Sequence, residues 1–151
     1  WHFHQKIYTL LGLGWERDVP KGLEHDYRAK TGVGFFLVQS PKINLTAEAG
    51  FRLNREDRLN PVADETLYSA LSTINFSWQF NPFSTLTQEI ETLQNVRRGH
   101  DFRLSSDTSL SFRLIRHLYF ATDFSLQFDN QPVAGFLKTD MRTTGSVMVY
   151  F

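Results

Sequence analysis

The sequence predicts an all-β protein, an antiparallel up-and-down transmembrane β-barrel of about eight strands, with residues 1–151 as a single domain. Three observations lead to this prediction. Apolar and polar residues alternate along most of the chain. The connections between the alternating segments are short and long in turn. The apolar stripes are about as long as a bilayer is thick.

The alternation has a period of two, which is the side-chain period of a β-strand. In the clearest segment, 43–54, the odd-numbered residues are apolar and the even-numbered ones are polar or glycine. Segments 68–80, 102–114, 118–128 and 137–151 repeat the pattern. It is noisier over 3–15 and 27–37, and weakest over 85–93, where Gln88 interrupts the stripe. We still predict a strand there, because the up-and-down order requires one.

The connections between these segments alternate in length. Tight turns are predicted at 39–42, 81–84 and 116–117, and the first two contain a proline, which cannot donate to a strand ladder. Longer polar connections are predicted at 16–26, 55–65, 95–100 and 129–136. In a meander every second connection lies on the same side, so all the short turns share one side. Outer-membrane barrels have short periplasmic turns and longer external loops, and the C-terminus falls on the short-turn side here.

The length of the apolar stripe indicates what it faces. From Ile43 to Leu53 the strand advances about 33 Å, at about 3.3 Å per residue. A tilt of roughly 40° reduces this to about 25 Å of height, which matches the apolar band of a transmembrane barrel. Strands of soluble proteins are usually about five or six residues long. A soluble barrel with an apolar interior is therefore the less favoured alternative.

Composition excludes several classes of partner and site. The chain has 16 basic and 16 acidic residues, a balance without the basic surface that nucleic acid requires. It has no cysteine, which excludes disulfides and thiolate metal sites. No run approaches the roughly 18 apolar residues of a transmembrane helix, a test that does not detect transmembrane strands.

If the apolar face meets lipid, the opposite face lines a lumen and carries charges of both signs. The predicted lumen-facing charges are Lys6, Arg28, Lys30, Glu48, Arg52, Glu89, Glu91, Arg103, Asp107, Arg113, Asp123, Lys138, Asp140 and Arg142. In a narrow barrel these groups would pair and close the lumen, and in a wider one they would line water. A paired or solvated interior is favoured over a specific transport or catalytic site.

Aromatic residues cluster near the ends of the predicted strands. Interfacial girdles of transmembrane barrels lie at such positions. The predicted interfacial aromatics are Trp78, Phe80, Phe83, Tyr119, Tyr150 and Phe151.

Candidate metal and cofactor motifs are weak. His2 and His4 lie on one side of a strand but lack a third nearby ligand, so we expect no metal. The glycine pairs at 12–14 and 32–34 are not nucleotide loops, because no helix follows them, and we expect no cofactor.

Candidate catalytic and anion-binding residues surround one predicted loop. His100, Asp101, Ser105 and Ser106 are residue types that a hydrolase uses, but they are merely adjacent in sequence, so we expect no catalysis. The segment 97–100, Arg-Arg-Gly-His, is an alternative contact for lipopolysaccharide phosphates, although a solvated loop is favoured.

Over roughly residues 8–151 the chain resembles the salt-induced outer-membrane proteins, a bacterial family of unknown function. The similar stretches are 26–34 (DYRAKTGVG), 45–52 (LTAEAGFR), 128–132 (FDNQP) and 138–144 (KTDMRTT). The resemblance implies an outer-membrane barrel without established catalytic residues and with about twelve strands in total. This chain would then be the C-terminal two-thirds, beginning near the fifth strand. The final GSVMVYF (145–151) resembles the sorting signal read by the barrel-assembly machinery.

The sequence therefore predicts a porin-like integral protein of the Gram-negative outer membrane with a structural, accessory or envelope-stress role and no enzymatic activity. The alternatives are a narrow channel for ions or small solutes and an outer-membrane lipid hydrolase. The expected partners are outer-membrane lipid and lipopolysaccharide, the barrel-assembly machinery through the C-terminal strand, and other envelope proteins. The short turns and the C-terminus are expected in the periplasm and the long loops outside the cell.

Overall fold

The computed structural model describes residues 6–18, 23–58, 65–132, 135 and 137–149. Within these residues the strands are β1 (Ile7–Asp18), β2 (Leu23–Gln39), β3 (Ile43–Arg58), β4 (Glu65–Asn81), β5 (Ser84–Asn95), β6 (Phe102–Ile115), β7 (Leu118–Asp129) and β8 (Thr139–Val149). In this part of the chain no helix is long and apolar enough to cross a membrane.

The strands form one antiparallel sheet in the order β1 to β8, each strand pairing with its neighbours in sequence. The prediction of eight up-and-down strands is confirmed. Among the described residues β1 pairs only with β2, and β8 only with β7, so both are edge strands. The closed barrel is therefore not part of this structure and stays a prediction.

The weakest predicted strand is present as β5 (Ser84–Asn95). Gln88 lies on the same face as Leu86 and Ile90, where it interrupts the apolar stripe. Its amide donates to the Ser106 hydroxyl at 2.9 Å, and its carbonyl accepts from the Thr108 hydroxyl at 2.5 Å. Side chains of the neighbouring strand thus satisfy the hydrogen-bonding groups of Gln88, which explains why β5 continues through this residue.

Three of the predicted turns are confirmed, because β2–β3, β4–β5 and β6–β7 are joined by two or three residues. The prediction of a long connection over 16–26 is wrong. β1 runs to Asp18 and β2 begins at Leu23. The ladder continues through Glu16, which lies directly opposite Asp26, and the Arg28 guanidinium contacts both carboxylates. The polar residues of this segment therefore indicated a loop, whereas most of them continue β1 and β2.

Register divides the side chains between two faces of the sheet, since directly opposite residues project to the same side. The polar face carries Glu48, Arg52 and Glu91, and the apolar face carries Phe51 and Ile74. The buried apolar side chains among the described residues are few and all lie on the polar face. They are Leu67, Leu71 and Ala121.

β2 and β3 approach each other closely at Gly32 and Gly50, which are directly opposite on the polar face. A Cβ at Gly50 would lie 2.7 Å from the Gly32 Cα and would overlap the carbonyl oxygen of Thr31. A Cβ at Gly32 would lie 2.8 Å from the Gly50 Cα. Only glycine fits where the two backbones come this close.

Candidate functional site

The polar face holds most of the charged side chains of the sheet. The predicted lumen-facing charges that fall within strands all share this face: Arg28, Lys30, Glu48, Arg52, Glu89, Glu91, Arg103, Asp107, Arg113, Asp123, Asp140 and Arg142. Lys6 and Lys138 lie immediately before β1 and β8. Whether this face lines a lumen stays a prediction.

One ion pair spans a whole strand of the polar face. Arg52 on β3 contacts Glu91 on β5 with an N–O distance of 2.7 Å, and each side chain is 13% exposed. Arg52 lies opposite Ser69, and Glu91 lies opposite Thr73. Leu71, which is 2% exposed, occupies the position between Ser69 and Thr73 and lies beneath the ion pair. The ion pair therefore covers the Leu71 side chain on the polar face.

A second contact of the same kind joins β1 to β3. The Tyr8 hydroxyl donates to the Glu48 carboxylate at 2.6 Å. Gly34 lies between the two residues, opposite both, and the Tyr8 ring occupies the space that a side chain at Gly34 would need. An aromatic ring that covers a strand glycine in this way restores packing that the glycine lacks.

Charged clusters also lie at the long-connection end of the polar face. Arg28 contacts Asp26 at 2.6 Å and pairs with Glu16. Asp26 is 2% exposed, and the guanidinium compensates its charge. Further along the sheet Arg103 contacts Asp129 at 3.2 Å and Asp101 at 3.9 Å. Opposite charges thus pair within β2 and between the neighbouring strands β1 and β2 and β6 and β7.

A cavity of about 610 Å³ lies on the polar face toward the short turns. Its lining includes polar-face residues of strands from β3 to β8: Thr46, Asn75, Glu89, Asp107, Asp123 and Arg142. Side chains from six neighbouring strands meet around one space, so the polar face is concave. Three carboxylates and one guanidinium give the cavity a mixed but mainly acidic lining, which suits water or small cations.

The apolar face is exposed along the sheet. Its exposed large side chains include Leu11, Leu13, Val33, Phe35, Phe51, Leu53, Ile74, Trp78, Ile90, Phe124, Met141 and Val147. Leu11 is 82% exposed and Phe51 is 64% exposed. The usual arrangement of a soluble domain, with apolar groups inside and polar groups outside, is inverted.

The predicted interfacial aromatics divide between the faces. Trp78 and Phe80 project from the apolar face with ring centroids 4.7 Å apart, and Phe83 packs under the Arg113 guanidinium at 4.6 Å. Tyr119 lies opposite Arg113 and therefore on the polar face. Tyr150 and Phe151 lie outside the described residues.

A second group of aromatics lies at the long-connection end of the apolar face and was not among the predicted interfacial residues. Trp15 lies opposite Tyr27, and Tyr68 lies opposite Leu53 on the neighbouring pair of strands. Trp15 also donates from its indole nitrogen to His25 at 3.3 Å. The signal was present in the sequence, since each of these residues ends the apolar stripe of its strand.

Comparison with known proteins gives one family match. A family model described as "Protein of unknown function, DUF481" matches residues 1–151. The chain belongs to the DUF481 family. No curated protein and no solved structure matches it.

In this DUF481 chain the candidate catalytic residues are not brought together. Ser105 lies on the polar face and Ser106 on the apolar face, where its hydroxyl accepts from Gln88. The Asp101 carboxylate binds Asn95 at 2.8 Å. His100 precedes Ser105 by five residues, roughly 16 Å along an extended chain. The arrangement lacks the contact between nucleophile and base that hydrolysis requires.

The candidate metal ligands His2 and His4 lie outside the described residues. Within the described part of the chain no group of three or more His, Cys, Asp or Glu side chains is placed to hold a metal ion.

Proposed function

We propose that this DUF481 chain forms an integral β-barrel of the bacterial outer membrane, with a structural or accessory role and no catalytic activity. The observation that carries the proposal is the inversion of the two faces. Phe51 and Leu11 are largely exposed on one face, whereas Asp26, Thr73 and Asn95 are buried on the other. A surrounding hydrocarbon phase would make this distribution favourable in free energy.

The spacing of the aromatic residues supports the same proposal. Tyr68 and Trp78 project from the apolar face of β4, ten residues apart. At about 3.3 Å per residue and a tilt of roughly 40°, they are separated by about 25 Å of height. Aromatic girdles on either side of an apolar band of this height are typical of transmembrane barrels.

The two edge strands set a condition on the proposal. An unpaired strand edge in hydrocarbon leaves backbone N–H and C=O groups without partners, each at a cost of several kcal/mol. In the membrane β1 and β8 must therefore be paired. Pairing of β1 with β8 closes an eight-stranded barrel, and pairing of both with further strands gives a larger one. Either arrangement keeps the polar face inside.

The connections suggest how the protein is oriented. Those after β2, β4 and β6 comprise two or three residues, and those after β5 and β7 comprise six and nine. We assign the short turns and the C-terminus to the periplasm and the longer loops to the cell exterior, as in bacterial barrels. Lipopolysaccharide and outer-membrane lipid would then surround the apolar face, and the assembly machinery would read the C-terminal strand.

The resemblance to salt-induced outer-membrane proteins suggests the physiological setting. We propose a role under envelope stress, in contact with other envelope proteins. Paired charges such as Arg52–Glu91 and Arg28–Asp26 suit a structural interior.

Separation of the two membranes of a Gram-negative cell tests the proposal. We expect the protein to sediment with the outer membrane, to resist extraction by carbonate, and to migrate faster in a gel before heating than after. Recovery in the soluble fraction would contradict membrane insertion. The same preparation compared between low-salt and high-salt growth tests the stress role, for which we expect higher abundance in salt.

A narrow channel for ions or small solutes is the second candidate, and the cavity of about 610 Å³ favours it. The Arg52–Glu91 pair above Leu71 opposes it, because the bridge crosses the face between the cavity and the long-connection end. Planar bilayers distinguish the two roles. We expect no conductance steps above background for the accessory role, and regular steps would establish the channel instead.

A further inference from the structure

The connection between β5 and β6, residues 96–101, is held in one conformation by its own hydrogen bonds. The Asn95 side chain is buried, and its carbonyl accepts the backbone N–H groups of Arg97 at 2.9 Å and Arg98 at 3.1 Å. Its amide donates to the Asp101 carboxylate at 2.8 Å. The Gln94 amide donates to the Gly99 carbonyl at 3.0 Å. This loop is therefore preorganised, and residues 96–100 are exposed to solvent as the sequence predicted.

The loop places Arg97 over the ring of Tyr68, with 4.1 Å between the guanidinium carbon and the ring centroid. Tyr68 projects from the apolar face of β4, and Val96 donates its backbone N–H to the Tyr68 carbonyl at 2.8 Å. Arg55 lies opposite Thr66 on the same face, one position diagonal to Tyr68. Diagonal neighbours are about 7–8 Å apart, so Arg55 is a second arginine close to Tyr68 on this face.

We propose that Arg55, Tyr68 and Arg97, here called the Tyr68 patch, bind the phosphate group of an anionic lipid headgroup. The inference rests on the proposed membrane location, and it adds a specific lipid site to it. Tyr68 ends the apolar stripe of β4, at the level where tyrosine meets the headgroup region. A lipid whose acyl chains cover the apolar face would present its phosphate to the patch.

The position of Arg97 leaves its donors accessible. Arg97 is exposed and lies over the Tyr68 ring, and the N–H groups of a guanidinium point outward in its plane. Those in-plane donors can bind phosphate oxygens in pairs. Arg55 is 66% exposed and contacts Asp57 at 3.3 Å. An exposed pair of this kind contributes little, so exchanging the carboxylate for a lipid phosphate is inexpensive.

The test measures lipid selectivity in the assembled protein. The full-length protein is extracted from membranes and reconstituted into phosphatidylcholine vesicles that contain spin-labelled phosphatidylglycerol or spin-labelled phosphatidylcholine. We expect phosphatidylglycerol to associate more strongly. Arg97→Gln should lower its relative association constant by about fivefold, the effect of one arginine at an anionic surface. Arg55→Gln should lower it similarly, and Arg116→Gln, in the exposed turn after β6, is the matched control.

Two further experiments test the role of the Tyr68 ring and the identity of the ligand. Tyr68→Phe should retain the selectivity, because the ring still supports Arg97, whereas Tyr68→Leu should reduce it. Inorganic phosphate added to the vesicles should not displace the labelled phosphatidylglycerol. Complete displacement would assign the patch to free phosphate and overturn the lipid site.

The inference also fails if Arg97→Gln and Arg55→Gln both keep the selectivity of the original protein, or lose no more than Arg116→Gln. Heat-dependent gel migration of the same samples reports insertion. Normal insertion without selectivity overturns the lipid site alone, and failure of the original protein to insert overturns the proposed function as well.

Discussion

At the scale of single residues, two glycines and one ion pair shape the polar face. Gly32 and Gly50 let β2 and β3 approach, and the Arg52–Glu91 pair crosses β4 above Leu71. The ion pair follows from a concave polar face, because concavity brings side chains from non-adjacent strands together, and the two glycines allow the close approach of adjacent strands. Substitutions at these residues should therefore change the free energy of unfolding by more than the gain or loss of the side-chain group itself.

Gly50→Ala should lower the free energy of unfolding by about 1–3 kcal/mol, the usual cost of overpacking. The added methyl group would lie 2.7 Å from the Gly32 Cα, against backbone that cannot move aside. Denaturant titration in lipid vesicles measures the change. Gly145→Ala is the matched control, because a Cβ there meets nothing within 4 Å among the described residues. Equal effects at both glycines would contradict the close approach of β2 and β3.

Arg52→Met should lower the free energy of unfolding by about 2 kcal/mol, between the values for exposed and buried ion pairs. The loss arises because the Glu91 carboxylate, 13% exposed, keeps its charge without its partner. Glu91→Gln in the same chain should recover part of that loss. The double-mutant cycle measures the coupling, and purely additive effects would show that the bridge contributes nothing to stability.

At the scale of elements, the sequence pattern predicted strands well and contacts between distant strands poorly. Alternation placed seven of the eight strands, because a period of two is a local property of the chain, and β5 was predicted from the up-and-down order. It did not predict the Arg52–Glu91 bridge, since a contact across an intervening strand depends on the curvature of the whole sheet. It assigned Tyr119 to the interface because the residue follows a turn, whereas register places it opposite Arg113 on the polar face.

The loop between β5 and β6 shows the same limit. The run Arg97-Arg98-Gly99-His100 was visible as a basic segment. Its internal hydrogen bonds and the contact of Arg97 with Tyr68 were not, because they require residues from separate strands and the loop to meet in space.

The destabilisation caused by a charged substitution should depend on its position along β4. Ile74→Arg, in the middle of the apolar band, should destabilise the folded protein in lipid by about 2–4 kcal/mol. Thr66→Arg, on the same face of the same strand but beyond Tyr68, should cost about 0–1 kcal/mol. Denaturant titration in vesicles compares the two variants. A tolerated arginine at Ile74 would indicate that this face meets water.

At the scale of the whole molecule, one sheet presents two contrasting faces. Exposed apolar side chains cover one face from β1 to β8, and paired charges and a cavity of about 610 Å³ occupy the other. The edges β1 and β8 are the places where this surface must continue or close. The proposed lipid site, the proposed orientation and the accessory role all depend on hydrocarbon covering the apolar face.

Nitroxide scanning along β4 tests that dependence most directly. The chain has no cysteine, so each single-cysteine variant carries one label, at positions 70–77 in turn, in the protein reconstituted into lipid. Oxygen, which concentrates in hydrocarbon, should collide most with labels at Ser72, Ile74 and Phe76. A water-soluble nickel complex should instead reach Asn75 and Ser77, giving two profiles of period two in opposite phase. Greater exposure of Ile74 and Phe76 to nickel than to oxygen would contradict the membrane assignment.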